Sequence, residues 1–249
     1  MRLIANILSI HFPECIILNS QSNQYDTNGD INQMGKKLAQ EIRQFIESQF
    51  IFYNKQLKRL SFIGHSLGGV LIRAALVYLQ DLSQYFYIFI TLSSPHLGFQ
   101  FSQSKLIDAG LWVLKIVKKA LSLKQLSMTD QTNIYDTFIY QLSCQNTISQ
   151  FQHIILVSSP QDLYVPYYSA RMQYVEKQEE DQNQQKISLQ MLNNIFKNVQ
   201  VQRIHRIDVS FTILGKNIDN YIGKTAHIMF LDNQEYLNII FSHFKELFS

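Results

Sequence analysis

The stretch Arg59-Leu60-Ser61-Phe62-Ile63-Gly64-His65-Ser66-Leu67-Gly68 constrains this chain more than any other. A short apolar run ends in Gly-x-Ser-x-Gly, and Val70 to Leu79 then follows, rich in good helix formers. Strand, tight turn and helix in that order hold a serine on a sharp elbow, where the flanking glycines let backbones approach closely. The elbow sets a hydroxyl at the carboxyl end of a strand, and the helix that begins there offers unpaired N–H groups and a dipole that favour an anion. Ser66 is therefore the candidate nucleophile, and the N–H of Leu67 a candidate donor to an oxyanion.

The rest of the chain repeats the alternation. Residues 33 to 50 place Leu38, Ile42, Phe45, Ile46 and Phe50 at helical spacing, with Lys36, Lys37, Glu41 and Arg43 mostly on the other side. Tyr85 to Leu92 and His153 to Val157 are nearly continuous apolar runs, as buried parallel strands require. Val201 to Phe211 alternates like a half-exposed strand, and Asn233 to Phe248 reads as a closing helix. Strands separated by helices imply βαβ units, hence a mostly parallel sheet with helices on both faces and a site at the carboxyl ends of its strands. At 249 residues one such domain is an ordinary size, and no internal repeat is visible. The polar run Gln178 to Gln185 is expected to be a solvated loop or the frayed start of a helix.

A serine hydroxyl is a weak nucleophile until a base takes its proton, so a histidine and an orienting carboxylate must be found. Behind such an elbow the chain order is Ser, then Asp or Glu, then His. Of the 7 histidines, His227 fits best, in a predicted loop that follows the last strand candidate and precedes the last helix. His153 and His205 lie in strand-like runs, His243 in the terminal helix, and His11 and His65 precede the nucleophile. Asp162, in the turn after His153 to Val157, is the expected acid; Asp208 lies inside a strand pattern and Asp232 after the histidine.

Several classes are set aside by pattern. A formal net charge of +3 is small and its basic residues are scattered, so nucleic acid is a poor partner. There is no His-Glu-x-x-His and no paired-cysteine spacing, so neither a metal nor any other cofactor is implied. Cys15 and Cys144 force no disulfide framework, which makes a cytosolic or otherwise reducing compartment the default expectation. The longest clean apolar run, Tyr85 to Leu92, falls far short of the roughly 20 residues that span a bilayer.

Phe62-Ile63-Gly64-His65-Ser66-Leu67-Gly68 together with Leu92-Ser93-Ser94-Pro95-His96-Leu97-Gly98 resembles the eukaryotic putative serine esterase (lipase-like) family of the α/β-hydrolase superfamily. Asp108 to Trp112, Gln161 to Arg171 and Gly223 to Ile228 resemble that family's later blocks, in the same order. The resemblance implies an α/β-hydrolase with Ser66, Asp162 and His227 as its triad, the set reached from the residues alone. It also implies an opening strand and a His-Gly loop that gives the second oxyanion donor, neither of which is legible before Gly29. Met1 to Ile10 resembles the helix that follows that loop, and residues 15 to 18 read as a strand. The expectation is thus a domain lacking its N-terminal strands.

On the substrate side, a cap is expected within about residues 100 to 150, where Leu106 to Leu126 interleaves Leu111, Trp112, Leu114, Val117 and Leu121 with Lys115, Lys118, Lys119 and Lys124. Such a segment suits an anionic lipid surface, or packs on the domain with its lysines in water. His65, His96 and Leu97 are the candidate substrate contacts. The expected chemistry is hydrolysis of a small acyl ester or lipid, by a protein in the cytoplasm or peripheral on membranes or lipid bodies. Acyl transfer by the same residues, and a catalytically impaired interaction domain, are the alternatives.

Overall fold

The computed structural model describes residues 1–99, 120–174, 182–212 and 219–248. Its frame is a four-stranded, wholly parallel sheet in sequential order: β1 (Leu60–His65), β2 (Phe86–Leu92), β3 (His153–Ser158) and β4 (Ile204–Asp208). The pairing sets Gly64 beside Thr91, His65 beside Leu92, Leu92 beside Val157, and Ser158 beside Asp208. The carboxyl ends of neighbouring strands therefore lie side by side.

Side chains alternate across this sheet and so divide the core in two. Phe62, Phe86, Phe89, Ile154 and Leu156 face one cluster, shared with α2 (Ile31–Tyr53), α3 (Leu67–Leu76), α5 (Phe138–Ser143) and α7 (Gln182–Phe196), while α4 (Leu121–Leu126) adds Leu126. Ile88, Ile90, Leu92, Ile155 and Val157 face the other, against α1 (Arg2–His11), α8 (Asp219–Asp232) and α9 (Gln234–His243). Helices on both faces of a parallel sheet are what the run of apolar strands implied. Two short helices complete the described elements: α6 (Tyr167–Ala170) after β3 and α10 (Lys245–Phe248) at the end.

Several boundaries differ from the sequence reading. Among the described residues, 15 to 18 pair with no strand, and Ile17 and Leu18 are half-buried against opposite clusters. Val201 to Arg203 form a turn of 3₁₀ helix before β4, which is shorter than the alternation suggested. The closing segment is two helices, because Asn233 ends α8 and its side chain accepts from the Tyr236 N–H at 2.9 Å to cap α9. Within the polar run, Gln182 to Gln185 open α7 and the residues before them lie outside the described set. Of the expected cap, residues 100–119 also lie outside it, and the described remainder carries the helices Leu121–Leu126 and Phe138–Ser143, both packed on the first core cluster.

The elbow explains one glycine of its motif and not the other. A Cβ placed on Gly64 would lie 2.6 Å from the Gly69 nitrogen and 2.7 Å from its Cα, so β1 and α3 touch backbone to backbone. A Cβ on Gly68 meets nothing within 4 Å. It is Gly69, packed against Ser94 and Thr91, that shares the close approach. Gly64→Ala is therefore expected to destabilise the fold by about 1 to 3 kcal/mol or more, as overpacking does. Gly68→Ala should leave the melting temperature unchanged or raise it, since alanine is the better helix former. Thermal unfolding of the two variants checks this contrast, and equal losses would contradict it.

Candidate active site

Ser66 follows β1 directly and has φ +53° and ψ −128°, a backbone conformation that a residue with a side chain adopts only under constraint. Two hydrogen bonds hold it there: its N–H donates to the Leu92 carbonyl at 3.0 Å, and its own carbonyl accepts from the Gly69 N–H at 3.2 Å. The first extends the β1–β2 pairing one residue past the strand. The turn is thus fixed from the sheet side and the helix side, and Ser66 is left half-buried at the strand end. Leu67 is the first residue of α3, where an amide has no acceptor within the helix.

Asp162 lies in the turn after β3, with its side chain fully buried. A buried carboxylate must be supplied with donors, and this one has them on both oxygens. Oδ1 accepts from the Tyr164 N–H at 2.7 Å and the Val165 N–H at 3.2 Å. Oδ2 accepts from the Ser93 hydroxyl and from His227 Nδ1 at 2.6 Å. Because the carboxylate accepts only, the bond to His227 places the proton on Nδ1 and leaves Nε2 with its lone pair.

His227 lies on α8, where a loop was expected. Gly223 and the turn-like residues around it suggested a helix boundary, but Ala226 and Phe230, four residues apart and both fully buried, pack one face of this helix into the second core cluster. Tertiary packing outweighs the low helix propensity of glycine there. The imidazole is only 14% exposed. It lies between two rings: Tyr164, nearly parallel at 5.5 Å between centroids, and His65 at 4.7 Å.

His65, expected to touch substrate, reaches the backbone of His227. Its Nε2–H donates to the His227 carbonyl at 3.0 Å. Burial first, and then the neighbouring His227, lower its pKa from 6.5 to about 4, so it stays neutral and keeps this donor role near neutral pH. His96 and Leu97 are fully buried in the loop after β2. His96 Nε2 is 3.0 Å from Thr91 Oγ1, its carbonyl accepts from the buried Arg73 at 2.8 Å, and the Leu97 N–H donates to Ser169 Oγ at 3.0 Å. Burial lowers the His96 pKa well below the usual histidine range, and that of Arg73 to about 10. These residues anchor the loop that carries Ser93 and Ser94. Asp208 accepts from Ser158 Oγ at 3.1 Å and pairs with Arg171. Ser93 and Tyr164 complete the site, and neither was singled out from sequence; the one available signal was their place in the Leu92 to Gly98 and Gln161 to Arg171 blocks.

Among the described residues no group of three or more His, Cys, Asp or Glu side chains is arranged to hold a metal ion, and no helix is long and apolar enough to cross a membrane. A strained serine turn between parallel strand and helix, with an aspartate after a later strand and a histidine after the last, makes this a fold of the α/β-hydrolase class. The chain belongs to the family described as Putative serine esterase (DUF676), which matches residues 1–173, a span that includes Ser66 and Asp162. It is 30% identical over 91 residues to the Saccharomyces cerevisiae protein named putative lipase ROG1, covering 34% of this chain and 12% of that one. It is 26% identical over 170 residues to putative lipase YDL109C of the same yeast, covering 65% of this chain and 25% of the relative. The chain thus spans a quarter or less of the length of these relatives. Among solved structures, the mature Bacillus licheniformis lipase BlEst2 is similar at 17% identity with a TM-score of 0.35, over 84% of this chain and 75% of that one.

The lowered pKa of His65 has a consequence for stability. The unfolded chain binds a proton at this residue near pH 6.5 and the folded chain near pH 4, so its share of stability is complete above pH 6.5 and is lost as the pH falls toward 4. The loss is roughly 3 kcal/mol. His65→Gln, which keeps an N–H donor without the titration, is expected to lose less stability over this range in urea unfolding, with His96 still contributing its part. An unchanged pH dependence would contradict the assignment.

Proposed function

We propose that this chain hydrolyses carboxylic esters, lipid esters being the favoured substrates, with Ser66 as nucleophile, His227 as general base and Asp162 as its orienting acid. The observation that carries the reading is the 2.6 Å hydrogen bond from His227 Nδ1 to a fully buried Asp162, with His227 tied through its carbonyl to His65, the residue before the serine held at φ +53°. A neutral imidazole whose Nδ1–H is tied down has Nε2 as its only basic site. The Ser66 hydroxyl gives its proton to Nε2 as Oγ bonds the substrate's acyl carbon. The carbonyl oxygen takes the electron pair and accepts a hydrogen bond from the Leu67 N–H. Collapse expels the alcohol, which leaves with the proton from Nε2, and an acyl-Ser66 ester remains. Water then gives a proton to Nε2 and adds to the acyl carbon, and the second collapse releases the carboxylic acid and restores the serine. The buried carboxylate stabilises the imidazolium formed at each step without itself being protonated.

The names of the yeast relatives support a lipid ester, as does the lysine-rich amphipathic pattern of Leu106 to Leu126. That pattern also supports contact with an anionic lipid surface.

A fluorophosphonate probe is expected to label wild-type protein covalently and to leave Ser66→Ala unlabelled. Asp162→Asn and His227→Ala should fold and yet lower turnover of a short-chain p-nitrophenyl ester by roughly four orders of magnitude, as lesions of such triads do. Asp208→Asn should retain activity. Labelling that survives in Ser66→Ala, or a large loss in Asp208→Asn with none in Asp162→Asn, would overturn the assignment.

A further inference from the structure

Ser93 is the first residue beyond β2 and has φ +46°, the left-handed region that non-glycine residues seldom occupy. It is 1% exposed, and its N–H donates to the Val157 carbonyl at 2.8 Å, which carries the β2–β3 pairing one residue past the strand. The backbone of Ser93 is therefore fixed by the sheet, as that of Ser66 is one strand away. From this position its hydroxyl donates to Oδ2 of Asp162, the same oxygen that takes the His227 Nδ1–H.

We propose that Ser93 is a positioning residue of the hydrolytic site, a hydroxyl that fixes Oδ2 of Asp162 in line with His227 and shares that oxygen's charge with it. The proposal rests on the ester-hydrolase reading above. The two amides on Oδ1 fix one oxygen of the carboxylate. Of the donors on Oδ2, the His227 ring is the one whose orientation is in question, so a second restraint that does not depend on His227 is needed to hold that oxygen in place. Ser93 supplies that restraint from the neighbouring strand. It acts through Asp162 and touches no reacting atom.

Sharing the oxygen also sets the basicity of the histidine. A hydrogen bond from Ser93 draws charge from Oδ2, so the carboxylate stabilises the imidazolium of His227 less than it would alone. The titratable and charged groups facing His227 among the described residues are Asp162, His65 and Tyr164, with the amino-terminal charge acting weakly on His65. Of these, Asp162 alone changes its hydrogen bonding when the Ser93 hydroxyl is removed.

Ser93→Gly is the informative variant, because glycine adopts positive φ freely and removes the hydroxyl without adding strain. Ser93→Ala removes the hydroxyl and keeps the strain. The glycine variant is expected to fold cooperatively and to be labelled at Ser66 by a fluorophosphonate. Its kcat should fall by about 10- to 100-fold, the range set by a hydrogen bond to a charged group, with KM little changed. The acidic limb of kcat/KM should move to higher pH, since an unshared carboxylate stabilises the imidazolium more strongly. Wild-type turnover and an unmoved acidic limb in Ser93→Gly would overturn the proposal. A fall in turnover that merely tracks loss of folded protein, with the limb in place, would overturn it as well. If wild-type protein neither hydrolyses a p-nitrophenyl ester nor takes the probe at Ser66, the hydrolase reading itself fails and this inference falls with it; probe labelling with an unaffected Ser93→Gly removes Ser93 alone.

Discussion

The site is organised around one buried carboxylate. A charge taken out of water must be met by hydrogen-bond donors, and those of Asp162 come from separate parts of the chain: the turn's own amides at Tyr164 and Val165, Ser93 at the end of β2, and His227 on α8. Satisfying that charge therefore brings the turn after β3, the loop after β2 and the second core layer into one place. The register of the parallel sheet makes this possible, because Leu92 pairs with Val157 and His65 with Leu92, so that residues just past each strand are neighbours. The elbow at Ser66 lies on the adjacent strand of the same edge. His65 then ties α8 to that elbow by donating to the His227 carbonyl.

The electrostatics follow from the same packing. His65 and His96 are kept neutral by burial, so that in the proposed reaction the positive charge develops on His227, against the carboxylate. Arg73, wholly buried on α3, spends two of its donors on the carbonyls of His96 and Leu142, and so fixes the loop that begins with Ser93. A cation used in this way holds a backbone in place behind the site and takes no part in the chemistry.

Much of this was legible in the sequence, and for identifiable reasons. The elbow announced itself because a glycine-flanked serine between an apolar run and a helix has few other uses, and β2 and β3 because parallel strands buried on both faces must be apolar throughout. Asp162 and His227 were reachable from chain order, and the structure joins them by a hydrogen bond. Other features depended on tertiary neighbours that no local pattern encodes. His227 is helical because Ala226 and Phe230 are buried together, which outweighs the glycine before them. His96 and Leu97 looked available in a loop, yet Arg73, Thr91 and Ser169 hold that loop inward. The glycine that close packing demands besides Gly64 is Gly69, one residue beyond the motif, because only the three-dimensional approach of Ser94 and Thr91 distinguishes it from Gly68. Ser93 was hidden for the same reason: a serine in a loop carries no mark of the carboxylate it will meet.

The central claim is that Ser66 carries the acyl group during turnover, activated by a histidine that Asp162 orients. Brief reaction with a p-nitrophenyl ester, acid quenching and mass mapping of the digested protein test it most directly. An acyl adduct is expected on the peptide containing Ser66 in wild-type protein and should fail to accumulate in His227→Ala, where the proposed base is gone. An acyl group found on another residue, or ester turnover with Ser66 never modified, would contradict it.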